Sequence, residues 1–260
     1  MTELRLVVSG AGGRMGQSIL REAQGSAGVA IAGAIEQSGH ALVGSCPPCV
    51  PGVEVSDRLD ALVAGGGVMI DFTTPAASLA LARFWAGAGH PLVIGTTGFS
   101  AAGDADIASL ASRAAIVKSG NMSLGVNLLA AMAKKAAAIL GADYDIEIVD
   151  AHHRAKIDAP SGTALMLASA AAEGRGVRLD DALVTARGGA RAHGAIGVAV
   201  IRGGGVIGDH DVMFAGFAEI VTLSHRALDR SLFAKGAIAA ARWVANKPPG
   251  LYSMADVLDL

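Results

Sequence analysis

Two stretches of this chain combine residue types that can do chemistry. The first is Asp150-Ala151-His152-His153-Arg154-Ala155-Lys156-Ile157-Asp158-Ala159-Pro160-Ser161-Gly162-Thr163, in which four groups able to carry positive charge fall within five positions. Ser161 fits the N-cap of a following helix. The backbone N–H groups of Gly162 and Thr163 in its first turn would attract an anion. With Lys156 and one imidazole added, the segment suits a carboxylate. Histidine titrates near neutral pH and can pass a proton to a hydride acceptor. On an extended strand His152 and Lys156 would stand about 13 Å apart, at roughly 3.3 Å per residue. They share one small substrate only if the chain curls after Arg154, which Pro160 and Gly162 make reasonable. A basic run can equally be a solvated loop. No metal is expected, because adjacent histidines on a strand point to opposite faces.

The second stretch is Gly10-Ala11-Gly12-Gly13-Arg14-Met15-Gly16, directly after an apolar run. Glycines there permit a tight turn and close approach of backbone to a pyrophosphate, with the helix start holding the phosphates. Glu36 ends the next apolar run, 20 residues beyond Gly16, where an acid would accept hydrogen bonds from an adenosine ribose. Asp71-Phe72-Thr73-Thr74-Pro75 and Gly95-Thr96-Thr97-Gly98 follow two further apolar runs. Ligands of such sheets lie beyond the carboxyl ends of the strands. A tight turn without ligand, or a nucleotide bound only for sensing, would also fit the first motif.

The elements that must position these residues alternate. Strands are expected at Leu4–Ser9, Val29–Ile35, Val68–Phe72, Leu92–Gly95 and Ala115–Lys118. Helices are expected at Met15–Gln24, Asp60–Ala64, Pro75–Gly87 and Ala101–Arg113. The pattern predicts an α/β, Rossmann-type parallel sheet with helices on both faces. Near Ser123 the character changes. A long apolar helix, Leu124–Leu140, precedes a strand at Tyr144–His153, where Ile146 and Ile148 alternate with Asp145 and Glu147. After a helix at Ser161–Glu173 come three strand-like runs, Leu183–Ala186, Ile196–Arg202 and Val212–Leu223. This is a smaller α+β domain with a mixed or antiparallel sheet. Leu232–Ala245 is helical and expected to pack back on the first domain. The predicted division is a dinucleotide-binding domain, 1–122 with 231–260, and a substrate-binding and oligomerisation domain, 123–230.

Bulk properties limit the function classes. The chain has 260 residues, 52% hydrophobic and 17% charged, with a formal net charge of −2. That charge speaks against nucleic acid as a partner. No apolar run is expected to approach the roughly 18 residues of a membrane helix. The N-terminus lacks the basic start and long apolar stretch of a signal peptide, so a cytoplasmic location is the default. Cys46 and Cys49, spaced Cys-Pro-Pro-Cys, are read as loop thiols rather than half of a zinc site, since the chain has no further cysteine.

At its two chemical motifs, and across essentially the whole chain, the sequence resembles the dihydrodipicolinate reductase family. Gly10 to Gly16, Asp71-Phe72-Thr73, Gly95 to Gly98 and the run from His152 to Ala164 carry the likeness. The resemblance implies NADH- or NADPH-dependent reduction of 4-hydroxy-tetrahydrodipicolinate, a cyclic dicarboxylate, to tetrahydrodipicolinate in the diaminopimelate route of lysine biosynthesis. It implies His152 as proton donor or acceptor, Lys156 as a second proton donor, and His153, Gly162 and Thr163 as holders of substrate carboxylate. Gly10, Ala11, Gly12, Gly13, Arg14, Met15, Glu36, Gly95, Thr96 and Thr97 would bind the cofactor. Ser119, Gly120, Asn121 and Met122 would touch the nicotinamide end and lead into the hinge. A homotetramer built through the second domain's sheet is implied too. Members favouring NADPH often carry arginine after the ribose-binding acid or after Phe-Thr. Here those positions are Gln37 and Thr74, so NADH is expected to serve at least as well as NADPH. Ala155 stands where some relatives have histidine. The competing readings are another two-domain dehydrogenase of amino-acid metabolism, of homoserine or aspartate dehydrogenase type, and a non-catalytic NADH sensor.

Overall fold

The computed structural model describes residues 3–186 and 188–260; the expected strand's lead-in at residues 1 and 2 lies outside them. The chain forms two compact units, residues up to Leu124 with Ser231–Asp259, and Gly125–Arg230.

The first unit is a parallel sheet of β1 (Leu4–Ser9), β2 (Val29–Ile35), β3 (Val55–Ser56), β4 (Val68–Asp71), β5 (Leu92–Ile94), β6 (Ala115–Lys118) and β12 (Gly250–Tyr252), in spatial order β12-β6-β5-β4-β1-β2-β3. Its strands read as unbroken apolar runs because both faces are covered. Leu6, Val8, Ile70, Val93 and Val117 point to one layer, with helices α1 (Arg14–Gln24), α8 (Ser231–Val244) and α9 (Met254–Leu258) over it. Val7, Met69, Leu92, Ile94 and Ile116 point to the other, under α3 (Pro75–Trp85) and α4 (Ala101–Leu110). A short α2 (Leu59–Val63) precedes β4. Helix starts follow local chemistry: Thr74 and Ser100 accept from Ala77 and Gly103 N–H, and Pro75 opens α3. The chain runs from β1 to β2 on one side and returns to β4 on the other. The reversal opens a crevice beyond the carboxyl ends of β1 and β4.

The second unit carries α5 (Leu124–Leu140), β7 (Asp145–His152), α6 (Gly162–Arg175), α7 (Leu179–Ala182), β8 (Leu183–Val184), β9 (Ile196–Arg202), β10 (Asp209–Ala215) and β11 (Ile220–Arg226). Its sheet order is β11-β10-β7-β9-β8, with β10 antiparallel to both neighbours and β7, β9 and β8 parallel. The expected single run Val212–Leu223 is instead a hairpin. Ala215 pairs with Ile220, and Gly216 N–H donates to Glu219 O across the turn. Nothing in Gly216-Phe217-Ala218-Glu219 advertises that turn, because only one of its residues is a turn former. β12, at the sheet edge beside β6, is also absent from the sequence expectation; three residues are too few to show a period.

One further expectation is corrected. With the 3₁₀ turn after it, α5 makes a helical stretch, Leu124–Asp143, long and apolar enough by length and composition to cross a membrane (mean hydropathy 1.4). Alanines between the leucines lengthen the apolar run despite Lys134 and Lys135. One face, with Leu129, Ala133 and Ala137, packs against Ile146, Ile148 and Leu167 in the core of the second unit, while Leu128, Met132 and Ile139 are exposed.

Candidate functional site

The glycine turn follows from contacts no larger residue allows. Gly10 has φ +64°, a conformation that favours glycine. A Cβ on Gly16 would lie 2.1 Å from Gly10 O, so α1 can start against the turn only with glycine there. Ala11 is buried, Gly13 is the N-cap of α1 without side-chain help, and Arg14 and Met15 open the helix with Arg14 exposed. Glu36 follows β2, and its carboxylate is engaged by the backbone: Oε2 accepts from Gly12 N–H at 2.9 Å and Oε1 from Gln37 N–H at 3.0 Å. The donor-rich turn and the acid beside it fit a dinucleotide. Sequence reasoning missed His40. Its ring covers Gly12, whose Cβ would meet His40 Cε1 at 2.5 Å, and its Nδ1 accepts from Leu42 N–H.

The two threonine-bearing segments meet at Asp71. This buried carboxylate accepts from Ser9 and Thr73 hydroxyls at Oδ1 and from Thr96 at Oδ2, at 2.6, 2.7 and 2.9 Å. It ties the ends of β1, β4 and β5 together, and the Thr96 hydroxyl is spent on it. Gly95 is required by Phe72, whose ring would be 2.2 Å from an added Cβ. Thr97, Ser119 and Gly120 line a recess of roughly 240 Å³ with Phe99, Asp104 and Lys118. Lys118 Nζ lies 2.8 Å from Asp104 Oδ1 at its wall. Asn121 Oδ1 accepts from Ser123 N–H. The Met122 side chain is in the core, and its carbonyl lies where a Cβ on Gly236 would sit. Met122 thus anchors the passage from β6 to α5, and its side chain is closed off from solvent.

In the second unit the buried face of β7 changes character along its length. Ile146 and Ile148 give way to Asp150 and His152. Asp150, with no exposed surface, pairs across the sheet with His210 of β10, which pairs in turn with His225 of β11. Asp150 Oδ1 lies 2.9 Å from His152 Nδ1 and 3.2 Å from His210 Nε2. Its Oδ2 accepts from Ser161 N–H at 2.8 Å and Arg202 Nη2 at 3.1 Å. Burial by itself would raise the Asp150 pKa. His210 and the hydrogen bonds from Ser161 and Arg202 outweigh it and hold the carboxyl far below its ordinary range. For His152 burial wins. It lowers the imidazole to about 4, against the pull of Asp150 and with help from the positive fields of His210, Lys156 and Arg202. His152 is therefore neutral at pH 7 in the free protein.

After His152 the chain curls. Lys156 N–H donates to His153 O and Arg154 N–H to Gly204 O. Lys156 Nζ meets Asp158 Oδ1 at 2.8 Å, and Arg202 Nη2 donates to Asp158 O. The Ala159–Pro160 peptide is cis. Ser161 is the N-cap of α6, accepting from Ala164 N–H, with exposed Gly162 and half-buried Thr163 in the first turn. His153 points away from His152, its Nε2 3.5 Å from Arg230. The groups closest to a metal-ligand arrangement are not the adjacent histidines. Asp150, His152 and His210 hold ligand-type atoms within 4.8 Å of one another. The Arg202 guanidinium on the same carboxylate opposes a further cation there. His210 and His225 escaped sequence reasoning, because each lies two residues beyond the expected run Val212–Leu223, in the ends of β10 and β11.

A pH effect on stability follows. Folded His152 titrates near 4, below the roughly 6.5 of an unfolded imidazole. Between those values the unfolded chain binds more protons. The contribution is complete above about pH 6.5 and is lost as the pH falls toward 4, amounting to about 2 kcal/mol by pH 5. Urea unfolding at pH 7 and pH 5 will show His152→Gln losing less stability between the two than the parent. Equal losses would contradict the assignment.

The crevice, the glycine turn and the acid after β2, with a separate unit that carries His152 and Lys156, fit a two-domain nicotinamide-nucleotide oxidoreductase. Family models agree in both halves: that for the N-terminus of dihydrodipicolinate reductase matches residues 4–122 and that for its C-terminus residues 125–258. The chain belongs to the dihydrodipicolinate reductase family. Relatives named 4-hydroxy-tetrahydrodipicolinate reductase include one from Afipia carboxidovorans, 51% identical over 100% of this chain and 98% of its own. Another, from Brucella abortus, is 53% identical over 98% of each. The solved structure of dipicolinate-bound dihydrodipicolinate reductase from Paenisporosarcina sp. TG-14 shares the fold, with a TM-score of 0.81 at 24% identity over 98% of this chain and 99% of that one.

Proposed function

We propose that this chain reduces 4-hydroxy-tetrahydrodipicolinate to tetrahydrodipicolinate, with loss of water, in the diaminopimelate route of lysine biosynthesis. Family membership over both halves supports the reaction. The observation that carries the assignment of residues is the turn joining His152 and Lys156 to the Ser161-capped start of α6. Gly10 to Met15 and Glu36, with Gly95, Thr97 and the backbone of Thr96 and of Ser119 to Met122 further along, would hold the nicotinamide nucleotide, which would supply the hydride. The protein's own part is anion binding and proton handling. Gly162 and Thr163, at the positive end of α6, hold a substrate carboxylate together with His153. Lys156, an ammonium tethered by Asp158, offsets one of the dianion's two charges and donates the one proton that the reaction consumes, to the hydroxyl that leaves as water. His152, neutral when the site is free, takes up the ring proton lost with water and returns it after hydride addition, and a dicarboxylate beside it raises its proton affinity.

NADH serves at least as well as NADPH. Glu36 repels a 2′-phosphate, and Gln37 offers no compensating charge where an arginine would. The protein works in the cytoplasm as a homotetramer. Support for that assembly is the face of the second sheet opposite α5 and α6, where Val149, Ala151 and Met213 are only half-buried. The test is oxidation of each nucleotide by purified protein coupled to dihydrodipicolinate synthase. Turnover with comparable kcat/KM for both, or better with NADH, is expected. No turnover with either removes the activity; a hundredfold preference for NADPH removes the cofactor reading alone.

A further inference from the structure

We propose that Asp150 and His210 are positioning residues of the proton-handling site: Asp150 fixes His152 through Nδ1, so that Nε2 is the atom that exchanges protons, and His210 braces the carboxylate from the neighbouring strand. The proposal rests on His152 acting on protons as described above. It starts from a buried carboxylate with four polar neighbours on four separate pieces of chain. Oδ2 is committed to Ser161 N–H and Arg202. Oδ1 is left to His152 Nδ1 and His210 Nε2, at 2.9 and 3.2 Å.

A carboxylate facing Nδ1 favours the tautomer with its proton there, leaving the Nε2 lone pair outward. Neither imidazole meets Oδ1 with hydrogen-bond geometry in the free protein, and His210 Nε2 also lies 3.4 Å from Ser161 Oγ; such looseness is common before substrate binds. Gly208 leaves the Nε2 side open: a Cβ there would come within 3.1 Å of Nε2. The His210 ring stands edge-on to His152, centroids 5.1 Å apart. The charged and titratable groups facing His152 are Asp150 on its own strand, His210 on β10, Arg202 on β9 and Lys156 in the turn. His225 and Asp209 stand behind His210.

Opposite signs in two variants test the proposal. Asp150→Asn removes the charge that favours protonated His152. The acid limb of the kcat/KM profile moves to lower pH, kcat falls at least about a hundredfold, and KM for NADH stays unchanged. His210→Gln removes a neighbour that disfavours a second positive charge, and the limb moves to higher pH. A merely structural role would lower Tm in both and leave the limb in place, which would overturn the proposal. Should Asp150→Asn not fold, imidazole ¹⁵N shifts of His152 in the parent decide: protonated Nδ1 supports it, protonated Nε2 sinks it. Wild-type turnover in His152→Gln would defeat the underlying reading as well. An inactive His152→Gln beside an Asp150→Asn with an unmoved limb defeats the positioning role alone.

Discussion

Lys156→Ala lowers kcat by about two to four orders of magnitude, the span usual for loss of a positioned proton donor. The Tm stays close to that of the parent. The separation is expected because the side chain and the turn are held by different interactions. The backbone bonds Lys156 N–H to His153 O and Arg154 N–H to Gly204 O, with Arg202 on Asp158 O, keep the turn without the ammonium. What disappears is the one cation that Asp158 tethers at 2.8 Å, so KM for the dicarboxylate rises along with the fall in kcat. His152→Ala loses kcat to a similar degree. It also costs some stability, since it empties a largely buried position beside Asp150. Steady-state kinetics beside thermal unfolding check both variants, and wild-type turnover in either defeats its assigned role.

Gly16→Ala is the second large effect, and it falls on the other unit. The new methyl would lie 2.1 Å from Gly10 O and 3.0 Å from Ala11 Cα, both backbone. No side-chain rotation can relieve it. Either α1 retreats from β1 or the turn opens. Overpacking of this kind costs about 1–3 kcal/mol, roughly 2–10 °C in Tm for a chain of this size. The displaced N–H groups raise KM for NADH at least about tenfold. Gly87→Ala is the control within the same unit: nothing lies within 4 Å of its Cβ, and both quantities stay unchanged. A Gly16→Ala protein with parental Tm and KM would show that the close approach of turn and helix is not needed.

Much of this chain was legible beforehand because much of it is local. The strand, glycine turn, helix and Glu36 succeed one another within the first 36 residues, and each is specified by neighbours in sequence. The alternation in Tyr144–His153 correctly placed a half-buried strand, and Ser161 announced the cap of α6. The failures have two different causes. The β10–β11 hairpin has a weak turn and is set by pairing with β7. The apolar length of α5 was undercounted because its alanines and two lysines hide the run.

Within the site, residue types and short spacings determined that one segment is a glycine turn suited to phosphates and another carries histidine, lysine and a helix start. Only the folded chain decided which partners those groups have. Register across β7, β10 and β11 puts His210 beside Asp150 and His225 beside His210, over sequence gaps of 60 and 15 residues. Burial on the same face of the sheet then makes His152 neutral at pH 7. A sequence shows what a residue can do at its ordinary pKa. Its charge state in place depends on water removed and fields added by residues far along the chain, and packing alone supplies both.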